Sequence, residues 1–213
     1  AAMSSVLLLN PPGLDPRSPR LSLATLAAAL RPFGADVSLV DLDLEGLLWL
    51  LRPESLQRAA RAHAGQAASG ATRLALLAER LGEAVPSALS VLRDASAFFD
   101  PWALSAARET VLDGLDLVSA AAPRGVRYGL EPLRYEVDGV DPTRLADLLR
   151  VSTDRAANLF ADHWDERLEP LLARGFDAVG ISITARFQMV PALMLARWLK
   201  RRGQFVVLGG ALL

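Results

Sequence analysis

The chain of 213 residues contains no cysteine. That excludes a disulfide framework, a thiolate metal site and any iron–sulfur cluster held by its own side chains. Lysine is nearly absent: Lys200 is the only one, and the basic charge rests on scattered arginines. With a formal net charge of −1 the chain lacks the basic excess that a nucleic-acid surface needs. Histidine occurs only at His63 and His163. Long apolar runs are missing too. Leu44–Leu51 is interrupted at Glu45 and closed at Arg52, far short of the roughly 20 apolar residues of a membrane span. Val6–Leu9 is too short for a secretory signal and has no basic stretch before it. The expectation is a cytoplasmic protein with neither a membrane nor a nucleic acid as partner.

What is present is a hydrophobic fraction of 52% on a chain long enough for one or two domains. Val6–Leu9 reads as a strand buried on both faces, ended by Pro11, Pro12 and Gly13. Leu23, Leu26, Ala27 and Leu30 recur at helical spacing, with Gly34 as the cap. Val37–Val40 is the second strand, with Asp41 and Asp43 at its end. Residues 44–150 break this alternation. They are rich in Ala, Leu and Arg, with helical periodicity over 55–63, 71–81, 87–98 and 102–119, punctuated by Pro53, Pro86, Pro101 and Pro123. Gly125–Gly139 reads as irregular or short β structure, and a further helix runs to Arg150. Such a length after one strand predicts a helical subdomain with its own core. A helix from Asn158 to Ala173, a strand over 178–183, a helix over 188–201 and a strand over 205–208 follow.

The sequence therefore predicts an α/β fold: a flavodoxin-like, Rossmann-like parallel sheet with strand one between strands two and three. Residues 1–43 form its first half, 44–150 a large helical insertion after the second strand, and 151–213 its second part. Ending on Gly-Gly-Ala-Leu-Leu after a buried strand, the chain reads as C-terminally truncated, cut before the last elements of the domain.

Two small polar segments mark one edge of that sheet. Ser182-Ile183-Thr184 closes the third strand and Gly209-Gly210 the fourth. Glycines let a ligand approach the backbone, hydroxyls supply hydrogen bonds, and the carboxyl edge of a parallel sheet is where α/β folds bind ligands. Several sites are absent. No G-x-G-x-x-G follows strand one, and neither a P-loop nor a G-x-S-x-G elbow occurs. A receiver's aspartate is replaced by Ser182-Ile183-Thr184, and Asn10-Pro11-Pro12 does not make an FMN loop. His163, near Asp162, Asp165 and Glu166, fits a solvated helix face better than a metal site.

The serine loop, the Gly-Gly turn and the segment Val6-Leu7-Leu8-Leu9-Asn10-Pro11-Pro12 together resemble the N-terminal cobalamin (B12)-binding domain of B12-dependent radical SAM enzymes. Phe187-Gln188 followed by Ala192–Lys200 is similar to members that modify ribosomally made peptides. The resemblance implies a corrinoid bound by Asn10, Pro11, Pro12, Gly13, Asp41, Ser182, Ile183, Thr184, Gln188, Gly209 and Gly210, with no catalytic or metal-ligating residue in this chain. It implies S-adenosylmethionine and a [4Fe–4S] cluster in a downstream radical SAM domain, methyl transfer or another radical modification of an unreactive carbon, and a peptide among the substrates. The family's D-x-H-x-x-G signature is not met: the loop Asn10–Ser18 has no histidine to ligate cobalt. The alternative is a non-enzymatic α/β module with a degenerate site, whose helical insertion binds a peptide or protein.

Overall fold

The computed structural model describes residues 4–16, 21–66 and 73–212. The described chain divides into two units, residues 1–47 with 139–213, and residues 48–138. The division falls inside the expected 44–150 insertion: 44–47 and 139–150 belong with the α/β unit.

That unit holds a four-stranded parallel sheet in the order β2-β1-β5-β6. Its strands are β1 Ser5–Asn10, β2 Asp36–Asp41, β5 Ala178–Ser182 and β6 Val206–Gly209. β1 lies at the centre, with Leu8 opposite Leu39 on one side and Gly180 on the other. The unbroken apolar run Val6–Leu9 suits that place, since a central strand of a covered parallel sheet buries both of its faces. Leu7 and Leu9 are fully buried and Leu8 nearly so.

The two crossover connections step away from the centre in opposite directions, so the right-handed rule for such units expects their helices on opposite faces. Helix α1 (Leu21–Leu30) joins β1 to β2, and α8 (Met189–Arg201) joins β5 to β6. Leu23 and Ala27 of α1 pack on Leu8, with Val6, Leu30 and Val37 around them. On α8, Val190, Met194, Leu195, Trp198 and Leu199 form the buried stripe. α2 (Leu42–Leu50) starts directly from β2. Later come α6 (Leu145–Val151) and α7 (Ala161–Leu172), whose Trp164 and Leu168 are fully buried. His163 is buried as well, contrary to the solvated face expected from its acidic neighbours. Gly46 explains its surroundings: a Cβ there would lie 2.9 Å from the Phe160 ring and 3.6 Å from His163 Nδ1.

The second unit contains α3 (Pro53–Gln66), α4 (Arg73–Val91), α5 (Pro101–Ala120) and an antiparallel hairpin of β3 (Val126–Leu130) and β4 (Leu133–Val137). The three helices pack on one another, and β3 packs on α5. Gly114 of α5 lets Leu51 and Val85 approach to 3.0 and 3.2 Å of where its Cβ would stand. Asp100 caps α5 by accepting from the Trp102 and Ala103 amides. One helix expectation changes. Pro86 does not separate two helices but lies inside α4, so 87–98 is no helix of its own; the buried Leu81, Val85 and Ala88 flanking the proline offset its lost hydrogen bond. The expected start at residue 71 lies outside the described residues.

Candidate functional site

The carboxyl ends of the four strands bring most of the predicted site residues to one edge, where they separate into two groups with different physical roles. The first group is a buried hydrogen-bond chain. Gln188 closes a 3-10 turn over Arg186–Gln188 and is fully buried. Its Oε1 accepts from the Thr184 amide at 2.8 Å, the Ala185 amide at 3.2 Å and the Thr184 hydroxyl at 3.2 Å. Its Nε2 donates to Asn10 Oδ1 at 2.9 Å and to the Pro11 carbonyl at 2.8 Å. Asn10 in turn donates to Asp41 Oδ1 at 2.8 Å. The same Asp41 oxygen accepts from the Asp43 and Leu44 amides and so caps the first turn of α2.

Asp43, fully buried, completes the chain by accepting from the Gly13 and Leu14 amides at 2.9 and 3.2 Å. Gly13 sits at φ +110°, and a Cβ there would come within 2.4 Å of the Phe187 carbonyl oxygen. The loop after β1 is thus pressed against the turn after β5, and only glycine fits at the contact. Asn10, Gly13, Asp41, Thr184 and Gln188 spend these polar groups on one another. Pro11 and Pro12 are buried beside them. This arrangement meets the requirement that buried polar groups be paired, and it fixes the positions of three loops.

The second group lines a cavity of about 350 Å³ on the α1 side of the sheet. Its floor is formed by alternate residues of the strands: Val6 and Leu8, Ala178, Gly180 and Ser182, then Val207 and Gly209, with Ile181 and Gly210 at the margin. Leu23, Leu26 and Leu30 of α1 form a wall. α1 covers β1 and β2, while β5 presents only small residues on this face and β6 presents Val207 and Gly209. The volume lies at the lower end of the range for small-molecule sites, and the lining is almost wholly apolar. Ser182 is the polar exception, its hydroxyl 3.4 Å from that of Ser22.

The three glycines of the cavity lining differ. A Cβ at Gly209 would meet nothing within 4 Å, so the position opens onto free space. Gly210 has φ +127°, and a Cβ would stand 2.1 Å from the Ile183 carbonyl oxygen, so glycine is required there by the backbone itself. A Cβ at Gly180 would press on the Leu8 side chain at 2.8 Å. Ile183 is fully buried and takes part through its backbone, donating to the Gly209 carbonyl at 2.7 Å and accepting from the Leu212 amide at 3.3 Å.

Ser22 was not singled out from the sequence and Gly180 appeared only inside a strand; Asp43 was placed at the end of strand two and the α1 leucines on a helix, but neither as part of the site. A period-2 reading of Ala178-Val179-Gly180-Ile181-Ser182 carries the signal for Gly180: it places three small residues on one face and two branched ones on the other. No group of three or more His, Asp or Glu side chains able to hold a metal ion occurs among the described residues, and no helix among them is long and apolar enough to cross a membrane. No protein-family model matches the chain, and neither a curated protein nor a solved structure matches it.

Proposed function

We propose that the α/β unit is a flavodoxin-like corrinoid-binding module that holds cobalamin at the carboxyl edge of its sheet. The observation that carries this reading is the apolar cavity between α1 and the facing residues of β5 and β6. Cobalamin joins a broad corrin to a nucleotide tail that ends in a flat aromatic base. A slot of about 350 Å³ with an apolar lining and one hydroxyl at Ser182 suits such a base, and Gly209 leaves the way in open. The hydrogen-bonded loops around Asn10, Asp41 and Gln188 form a rigid rim on which the corrin rests.

On this reading cobalt takes no imidazole from the loop after β1. His63 belongs to the helical unit and His163 is buried beside Phe160. The role of this chain is to bind and orient the corrinoid; S-adenosylmethionine and iron–sulfur chemistry require cysteines supplied by a radical SAM domain. Titration with hydroxocobalamin and methylcobalamin, read by visible absorption and gel filtration, tests the proposal. Saturable co-elution is expected, lost in Gly209→Val while circular dichroism is unchanged. No co-elution, or equal retention by the variant, defeats it.

A second reading rests on a different observation. Phe99 and Trp102 stand 84% and 86% exposed at the start of α5, an arrangement suited to a peptide or protein bound by the helical unit. Loss of peptide capture in Trp102→Ala with cobalamin retention unchanged would favour that module.

A further inference from the structure

A second cavity lies where α6 and α8 end, at the opposite edge of the sheet from Gly209. It measures about 110 Å³ and is lined by four arginines, Arg155, Arg197, Arg201 and Arg202, with Trp198 at its base. Two of the four are held in place by carboxylates. Arg155 donates through Nη2 to Asp162 at 2.7 Å and to Asp165 at 2.9 Å. Arg202 donates through Nη2 to Asp165 at 3.0 Å and to Glu169, and its guanidinium lies 3.6 Å above the Trp198 ring. Trp198 Nε1 donates to the same Asp165 oxygen at 2.8 Å. Asp165 therefore orders this wall of the cavity.

The other two arginines are different. Arg197 and Arg201 sit one turn apart on α8, and neither forms an ion pair among the described residues. Arg155 also keeps its Nε and Nη1 donors uncommitted. We propose that this cavity binds an oxyanion, a phosphate or carboxylate group, through Arg197, Arg201 and the free edge of Arg155. The planar fork of guanidinium donors suits such groups. The Asp154 carboxylate in the lining and the carboxyl end of α8, with a partial charge of about half an electron, oppose an anion, against the two whole charges of Arg197 and Arg201 and the free edge of Arg155. The hydroxyls of Ser152 and Thr153 donate to the Leu149 and Arg150 carbonyls, so the arginines carry the recognition. The cavity is small, about 110 Å³, and open to solvent, so it suits the charged end of a molecule whose body lies outside.

The test follows arginine Nε–Hε resonances during titration with inorganic phosphate, with acetate, and with chloride at matched ionic strength. Saturable shifts at Arg197 and Arg201 with phosphate, with acetate or with both are expected, and the stronger of the two identifies the class of oxyanion. Arg197→Ala with Arg201→Ala should weaken that binding at least tenfold with an unchanged circular dichroism spectrum, and Arg201→Glu should abolish it. Equal shifts with chloride, or undiminished binding by the variants, overturn the proposal.

Discussion

The carboxamides of Gln188 and Asn10, 178 positions apart, meet in a buried hydrogen bond of 2.9 Å. This contact joins the end of the central strand to the turn that follows β5. Three loops at the carboxyl edge are positioned through it, since Asn10 hands the chain on to Asp41 and Gln188 receives the Thr184 and Ala185 amides.

Gln188→Ala should therefore destabilise the fold by about 2–4 kcal/mol, because the Thr184 and Ala185 amides, Asn10 Oδ1 and the Pro11 carbonyl all lose their partner. Gln188→Glu should do no better near neutral pH. It sets a carboxylate oxygen against two acceptors where Nε2 donated. Urea denaturation followed by circular dichroism measures both.

The two glycines after β6 should respond oppositely to alanine. Gly209→Ala should change stability by less than about 0.5 kcal/mol, as its Cβ meets open space. Gly210→Ala should cost about 1–3 kcal/mol, since φ is +127° and the Cβ falls on the Ile183 carbonyl. Thermal unfolding of the pair separates a glycine kept for the cavity from one kept for the backbone.

Gly46→Ala sets helix propensity against sterics. Alanine gains about 1 kcal/mol in a helix interior, but its methyl would lie 2.9 Å from a fully buried Phe160 ring. Overpacking costs about 1–3 kcal/mol, so the variant should be less stable than the parent. Gly46→Ala combined with Phe160→Leu should recover part of the loss.

Asp165 should contribute to acid sensitivity. Burial raises its pKa, but the hydrogen bond from Trp198 and the charge and hydrogen bond of Arg155 outweigh that, leaving it below the usual carboxylate value of 3.8. A depressed carboxylate stabilises the fold above its unfolded pKa, and the contribution is lost as pH falls through the folded value. Stability should fall with acidification below about pH 4. Asp165→Asn should be less stable at pH 7 and should show a shallower acid limb, measured by thermal unfolding from pH 2 to 7.

The sheet was legible because its signals are local. Unbroken apolar runs bounded by Pro11 or Gly203 mark strands, and alternation with helical stretches gives parallel pairing. Val6–Leu9 is covered as expected, but the run over 205–208, expected to be buried, lies at the sheet edge with Phe205, Val207 and Leu208 exposed. The boundaries of the helical unit were not, because Pro86 looks like a terminator until tertiary packing around Leu81 and Val85 is known. His163 was misread for the same reason: its neighbours Asp162, Asp165 and Glu166 face elsewhere, and nothing in the sequence shows that Gly46 makes room for it. At the candidate site, the sequence marked Ser182 and Gly209 by their place after strands. It could not show that Asn10, Asp41 and Gln188 bond to one another, which depends on contacts across more than a hundred residues.

Position of β1 in the sheet also sets an order of assembly. It pairs with β2 nearby in sequence, but its other neighbour, β5, begins at Ala178. During synthesis the 48–138 unit emerges entire, with contacts that are local, before β5 exists. Helical contacts of short sequence separation form rapidly, whereas pairing across such a loop is slow. One edge of β1, with its apolar run, therefore remains open while the helical unit is already folded, and the nascent α/β unit passes through a period in which its most hydrophobic strand has a partner on one side only.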